Sequence, residues 1–295
     1  MRKKNNLLYP LAGLALLCIL IFSIRLFSRA HPRPAPRTGT GAVTRPVPLP
    51  VTRPPAALPL PVFSVPPGKG KIAIVLDDWG YTMKQVPTLV AIRQPLTVSV
   101  LPSLAHSADV AQAARASGHE VILHMPMEAL DPQAPREAGT ILAGMPRREV
   151  VDLLNRSLST VPAARGMNNH QGSKATADAA LMQIVLQETK RRGLYFLDSY
   201  VTRQSVCAAV AERVRIPFAQ RSVFLDNELS GPEIQKQLLE LARLASRRGQ
   251  AIGIGHDRPV TLEVLRQAIP VLEKAGYTLV PVSRLTEVQH SRSRN

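Results

Sequence analysis

Ile72-Ala73-Ile74-Val75-Leu76-Asp77-Asp78 is an unbroken apolar run that stops at two carboxylates. The construction recurs in Val121-Ile122-Leu123 before His124, Tyr195-Phe196-Leu197 before Asp198, Val223-Phe224-Leu225 before Asp226, and Ala251-Ile252-Gly253-Ile254-Gly255 before His256. Strands apolar on both faces belong in a parallel sheet covered on both sides, since a sheet with one wet face would alternate. Parallel α/β folds collect their chemistry at the carboxyl ends of the strands. These acidic and histidine side chains are therefore expected to meet at one mouth, the pattern of an enzyme.

Around these runs the chain alternates between strand and helix. Candidate strands cover 72–77, 96–101, 120–124, 165–168, 194–198, 222–226, 251–255 and 278–282, and candidate helices 83–93, 107–117, 146–160, 176–192, 204–213, 231–248 and 260–275. Gly193 after Lys190-Arg191-Arg192 and Gly249 after Arg247-Arg248 carry the signature of a helix end, a basic last turn followed by glycine. Ile234, Leu238, Leu241 and Leu244 form a 3.6-period stripe. This alternation predicts an irregular (β/α) barrel of about seven to eight parallel strands over 71–287, followed by a polar tail at 288–295. A doubly wound open sheet is the alternative that spacing leaves open.

The flank before the barrel differs in kind. Residues 1–71 hold eleven of the 37 basic residues and none of the 21 acidic ones, so the remainder has 26 basic against 21 acidic. Most of the +16 net charge thus belongs to the amino-terminal segment, and aromatic residues make up only 4% of the chain, so no nucleic-acid partner is expected. The uncharged run 7–24 would rise about 27 Å as a helix, close to the thickness of a bilayer core. With Arg2, Lys3 and Lys4 before it, residues 1–29 read as a cytoplasmic tip and transmembrane signal anchor, with signal-peptide cleavage near Ser28-Arg29-Ala30 as the alternative. Residues 30–70 are rich in Pro and Arg and read as an extended, unpacked linker. The expectation is a domain held in the periplasm by an inner-membrane anchor. Cys18 and Cys207 lie in different segments and offer no disulfide framework.

At the strand ends, Asp77-Asp78-Trp79-Gly80 pairs two carboxylates. One can bind a cation while the other accepts a proton from water, whereas a single aspartate there is more often a turn or cap residue. His124 is a candidate transition-metal ligand with Glu128 four residues on, against the commoner role of a hydrogen-bonded core histidine. Asn168-Asn169-His170-Gln171-Gly172-Ser173-Lys174 is a polar loop able to deliver His170 to a metal, with Asn168, Asn169, Ser173 and Lys174 for substrate or support. Asp198 and Asp226 can orient histidines, bind hydroxyls or cap the helices that follow. His256 can protonate a leaving group. No Gly-x-Ser-x-Gly or Cys-x-x-Cys pattern occurs.

As an ordered set, Asp77-Asp78-Trp79-Gly80, His124-Met125-Pro126-Met127-Glu128, Asn168-Asn169-His170-Gln171-Gly172-Ser173, Asp198-Ser199, Asp226-Asn227 and Gly253-Ile254-Gly255-His256 resemble the divergent polysaccharide deacetylase family over about residues 70–286. The resemblance implies a distorted barrel related to metal-dependent polysaccharide deacetylases. It also implies a divalent metal, expected to be zinc, on Asp78, His124 and His170, with Asp77 as base and His256 as acid. The expected substrate is an N-acetylated glycan or peptidoglycan-type polymer. Adjacent strand residues face opposite ways, so the roles of Asp77 and Asp78 are open to exchange. Glu128 stands where the classical deacetylases carry a second histidine, and their Arg-x-Pro-Tyr pattern is absent. A catalytically weak or inactive barrel binding glycan or an envelope partner is therefore the rival reading, and hydrolysis of another amide or ester a third.

Overall fold

A computed structural model describes residues 63–288. The proposed membrane run and most of the linker lie outside these residues. Among the described residues, no helix is long and apolar enough to cross a membrane.

The chain order is β1 (Gly70–Trp79), α1 (Val86–Ala91), β2 (Thr97–Val100), α2 (Ser107–Ala116), β3 (Glu120–Met127), α3 (Arg147–Thr160), β4 (Gly166–Gln171) and α4 (Ala179–Arg191). It continues with β5 (Tyr195–Asp198), α5 (Cys207–Val214), β6 (Pro217–Gln220), β7 (Val223–Phe224), α6 (Gly231–Arg248), β8 (Gln250–His256), α7 (Pro259–Lys274), β9 (Tyr277–Leu279) and β10 (Glu287–Val288). The strands line up as β10-β6-β5-β4-β3-β2-β1-β8-β7, with β9 also on β1. Every pair is parallel except β10 with β6. A doubly wound sheet reverses its order at a switch point. Here the order of β1 to β8 is a rotation of the chain order, the winding of a (β/α) barrel, and that choice is settled. The barrel is open along one seam, because β6 and β7 follow each other in sequence without pairing.

Alternation along the strands divides the core in two. Ile72, Ile74 and Leu76 of β1 join the large cluster packed beneath the helices. Ala73 and Val75 join a small inner cluster with Ile122, Tyr195, Leu197, Ala219, Ile252 and Ile254. Val282 and Leu285 close that cluster from the segment between β9 and β10. This segment crosses the amino end of the barrel, where Val282 N donates to Thr97 Oγ1 at 3.0 Å and Ser283 N to Glu120 Oε1 at 3.2 Å. The inner column therefore has a floor, and its open end is the carboxyl end.

The helices form where their ends are chemically marked. Ser230 caps α6 by accepting from Glu233 N, Pro232 sits in the first turn, and Gly249 ends it at φ 81°. Its stripe Ile234, Leu238 and Leu241 is buried as the 3.6 period predicts. Two strands were not expected. β6 is a four-residue strand ending in glutamine, and β10 spans two residues, so neither carries a hydrophobic period. The end of the expected linker is packed as well, with Phe63 and Val65 against the large cluster.

Candidate active site

By alternation Asp77 continues the inward column of Ala73 and Val75, and Asp78 should point the other way. It does not. The β1–β2 register slips between Leu76 and Trp79, which pair with Val98 and Val100, so β1 has one residue too many there. Asp78 absorbs the slip in a left-handed conformation at φ 68°. Both carboxylates consequently reach His124 Nε2, Asp77 Oδ2 at 3.7 Å and Asp78 Oδ1 at 3.2 Å.

His124 lies on β3, inward like Ile122 two residues before it, and is buried. Its Nδ1 is 2.8 Å from Asn168 Oδ1. The amide orientation is fixed from the other side, since Asn168 Nδ2 donates to Asp77 Oδ1 at 2.9 Å and Ser99 Oγ donates to Asn168 Oδ1 at 2.6 Å. Asn168 Oδ1 can only accept, so Nδ1 of His124 carries a proton, and in the neutral ring Nε2 presents a lone pair toward Asp78. His170, two residues on along β4, brings Nδ1 to 3.1 Å from Asp78 Oδ1 and 3.2 Å from His124 Nε2. One ligand atom from each of Asp78, His124 and His170 thus lies within 4.8 Å of the others.

Asp78 Oδ1 is a buried oxygen with no aligned hydrogen-bond donor, despite the two nitrogens at ordinary contact distance. Lone pairs facing one another at such distances suit a shared cation better than a hydrogen-bond network. Burial disfavours the Asp78 carboxylate, but the adjacent His124 and His170 outweigh it and hold the carboxyl well below the usual range. Burial works against charge on His124 too, and Asp77 and Asp78 reverse it, raising its pKa. The residues present fit a divalent metal with mixed N/O ligation.

His256, at the end of β8, stands beside Asp77 in register on β1. Its Nδ1 donates to Asp226 Oδ1 at 2.8 Å, while Asp226 Oδ2 accepts from His256 N at 2.8 Å and Thr261 Oγ1 at 2.7 Å. Burial alone would lower the His256 pKa, but the Asp226 hydrogen bond and charge push it up to about 9. Gly255 makes room for this arrangement, because a Cβ there would lie 3.0 Å from Thr261 Cγ2. Phe224 stacks on the His256 ring at 6.3 Å, and the Arg221 guanidinium sits 3.6 Å from the Phe224 centroid.

The remaining candidates hold loops. Glu128 stays out of the ligand cluster: its carboxylate accepts from Ala143 N at 2.8 Å and Lys174 Nζ at 3.0 Å. Expected beside His124 as a further oxygen donor or as a supporting or substrate-binding residue, it is engaged here by Lys174 and a backbone amide. Asn169 accepts from Ser199 N at 2.9 Å, and Ser173 Oγ accepts from Leu130 N at 2.9 Å. Asp198 lies one step out of phase with inward Leu197 and accepts from Tyr200 N at 2.8 Å and Ser205 Oγ at 2.7 Å, while burial raises its pKa. Sequence reasoning missed Arg221, which donates to Ser199 O and Tyr200 O at 2.7 Å each. It also assigned nothing to Asp257, whose carboxyl burial and the negative Asp78 push up to about 7. Tyr81 at the mouth, 53% exposed, donates to Glu137.

Fold and site together define a (β/α)-barrel protein with a carboxylate–bis-imidazole cluster at its strand ends, flanked by a second aspartate and an Asp-His pair. Residues 74–286 match the divergent polysaccharide deacetylase family, and the chain belongs to it. It is 37% identical over 223 residues to the uncharacterized protein YibQ of Escherichia coli (strain K12), covering 76% of this chain and 69% of that protein. An uncharacterized protein of Haemophilus influenzae is 33% identical over 201 residues, covering 68% and 71% respectively. Among solved structures, the uncharacterized protein ATU2773 from Agrobacterium tumefaciens C58 superposes with a TM-score of 0.71 at 27% identity, covering 77% of this chain and 92% of that one.

Proposed function

We propose that the barrel is a metal-dependent hydrolase that removes acetyl groups from N-acetylated cell-envelope carbohydrate, held in the periplasm by an inner-membrane anchor at residues 7–24. The observation that carries this reading is the convergence of Asp78, His124 and His170, with Asp78 Oδ1 buried and unsatisfied. A divalent metal held by these three, zinc for a mixed N/O donor set, supplies Lewis-acid polarisation of a carbonyl and acidifies water near neutral pH.

The protein's own groups supply the proton transfers. Asp77, fixed through Oδ1 by Asn168, takes a proton from the attacking water as the new C–O bond forms at the acetamide carbon. His256 stays an imidazolium at neutral pH because Asp226 holds its Nδ1 proton, leaving Nε2–H to protonate the nitrogen as the C–N bond breaks. Acetate and a free amino sugar result. Asp77 and His256 lie side by side on β1 and β8, so one substrate position can face both.

The test is acetate release from chitooligosaccharides and peptidoglycan fragments by the metal-loaded protein. The reading predicts release that Asp77→Ala and His256→Ala abolish. No release from a fully metal-loaded protein would favour the non-catalytic, glycan- or partner-binding barrel, and release surviving Asp77→Ala would remove the assigned base.

A further inference from the structure

In a (β/α) barrel every helix ends at the amino end of the next strand, so the helix carboxyl termini share the face opposite the catalytic mouth. Here α2, α4, α5, α6 and α7 each carry Lys or Arg in the last turn. Arg115, Arg213, Arg248 and Lys274 are exposed, and none of them forms an ion pair among the described residues. Basic last turns complement the helix dipole, which accounts for one charge per helix end. It does not account for Lys69, Lys71, Arg165 and Arg284, which are exposed on the same face and without an ion pair among the described residues, but lie outside those last turns. Glu212 and Glu273 are exposed there as well, and Glu188 is already taken by Arg147, Arg191 and Arg192. The face is left with a clear excess of positive charge.

Two further features lie on this face. A cavity of about 290 Å³ opens between the Arg115 and Arg165 positions, lined also by Gly118, His119, Pro281 and Glu120, whose Oε1 is engaged by Thr97 Oγ1, the Tyr195 hydroxyl and Ser283 N. The chain also arrives here. Residues 63–70 run past the ends of α6 and α7, with Gly68 N donating to Ala275 O and Lys71 N to Gly249 O, both at 2.9 Å. The described chain therefore enters the barrel at its basic face, on the side away from its mouth.

We propose that this amino-end face docks on an anionic phospholipid surface, with a headgroup phosphate taken between Arg115 and Arg165, so that the mouth points away from the bilayer. Clustered Lys and Arg are attracted to such a surface, an attraction that salt screens. Charge complementarity and the point where the chain enters the barrel favour this occupant, which rests on the proposed membrane anchor and not on the hydrolase reading.

The full chain, reconstituted in vesicles of phosphatidylcholine alone or mixed with phosphatidylglycerol, is labelled with an amine-reactive acetylating reagent. The modification of each lysine is read by peptide mass spectrometry. The expected result at low salt is that Lys69, Lys71 and Lys274 label about fivefold more slowly in the anionic vesicles, with the difference lost at high salt. Lys84 and Lys236, away from this face, should label equally in both. The double variant Arg115→Glu, Arg165→Glu should lose most of the protection while keeping the circular dichroism spectrum and thermal midpoint of the wild type. Equal labelling in the two vesicle types would overturn the proposal, as would protection that salt and the double variant leave unchanged.

Discussion

Two carboxylates at this mouth sit against imidazoles, and they are built differently. Around Asp226 each oxygen faces an aligned donor: His256 Nδ1 on one, and His256 N with Thr261 Oγ1 on the other. Asp78 has two imidazole nitrogens at 3.1 and 3.2 Å, yet its Oδ1 receives no aligned hydrogen. A satisfied pair stabilises a proton on its histidine. An unsatisfied convergence of lone pairs is stable when a cation fills it. The contrast separates a proton-donating device from a metal-binding one within one barrel mouth.

The largest effect that would break this contrast comes from the metal side. Asp78→Asn or His124→Ala is expected to abolish metal binding and to lower acetate release to background, and chelation of the wild type should do the same until metal is returned. Asp77→Asn should lower kcat by about 10²–10⁴-fold, the range for a lost general base, while metal content stays at the wild-type level. Metal loss in Asp77→Asn would instead make Asp77 a ligand and exchange the roles of the pair.

On the proton side the effect is a shift in pH dependence. His256 must be protonated to act, so activity should fall as pH rises through about 9. In Asp226→Asn the raising partner is gone, and that alkaline limb should move toward the range of an ordinary imidazole with metal content unchanged. Stability follows the same sign. The folded pKa lies above the unfolded value near ~6.5, so the pair stabilises the fold fully below that value and the contribution fades as pH rises through about 9. Thermal unfolding of wild type and Asp226→Asn at pH 6 and pH 10 reads this, and the gap between them should narrow at the higher pH. The smallest expected effect is that of Gly255→Ala, whose methyl would press on Thr261 Cγ2. It should cost about 1–3 kcal/mol of stability by denaturant titration and disturb the Asp226–His256 pair before the metal cluster.

Much of this was legible in the chain because burial on both faces writes an apolar run, and the residue ending each run marks a strand end. Asp77, His124, Asp226 and His256 were visible that way, and His170 came from its loop composition. The inward turn of Asp78 was not legible. Strand periodicity places it opposite Asp77, and only the slip against β2 and the left-handed backbone bring it round. Arg221 follows a strand of four residues without a hydrophobic period, so nothing local announced it. Asn169, Ser173 and Glu128 were legible as polar residues near the site, but their bonds are to loop backbone and to Lys174, partners set by tertiary contact rather than by spacing.

Titration of the metal-free full chain with zinc, followed by calorimetry, tests the central contrast most directly. One equivalent should bind per wild-type chain and per Asp226→Asn chain, and none at comparable affinity to His124→Ala or His170→Ala. A wild-type chain that takes up no zinc, or variants that bind it as the wild type does, would contradict the account.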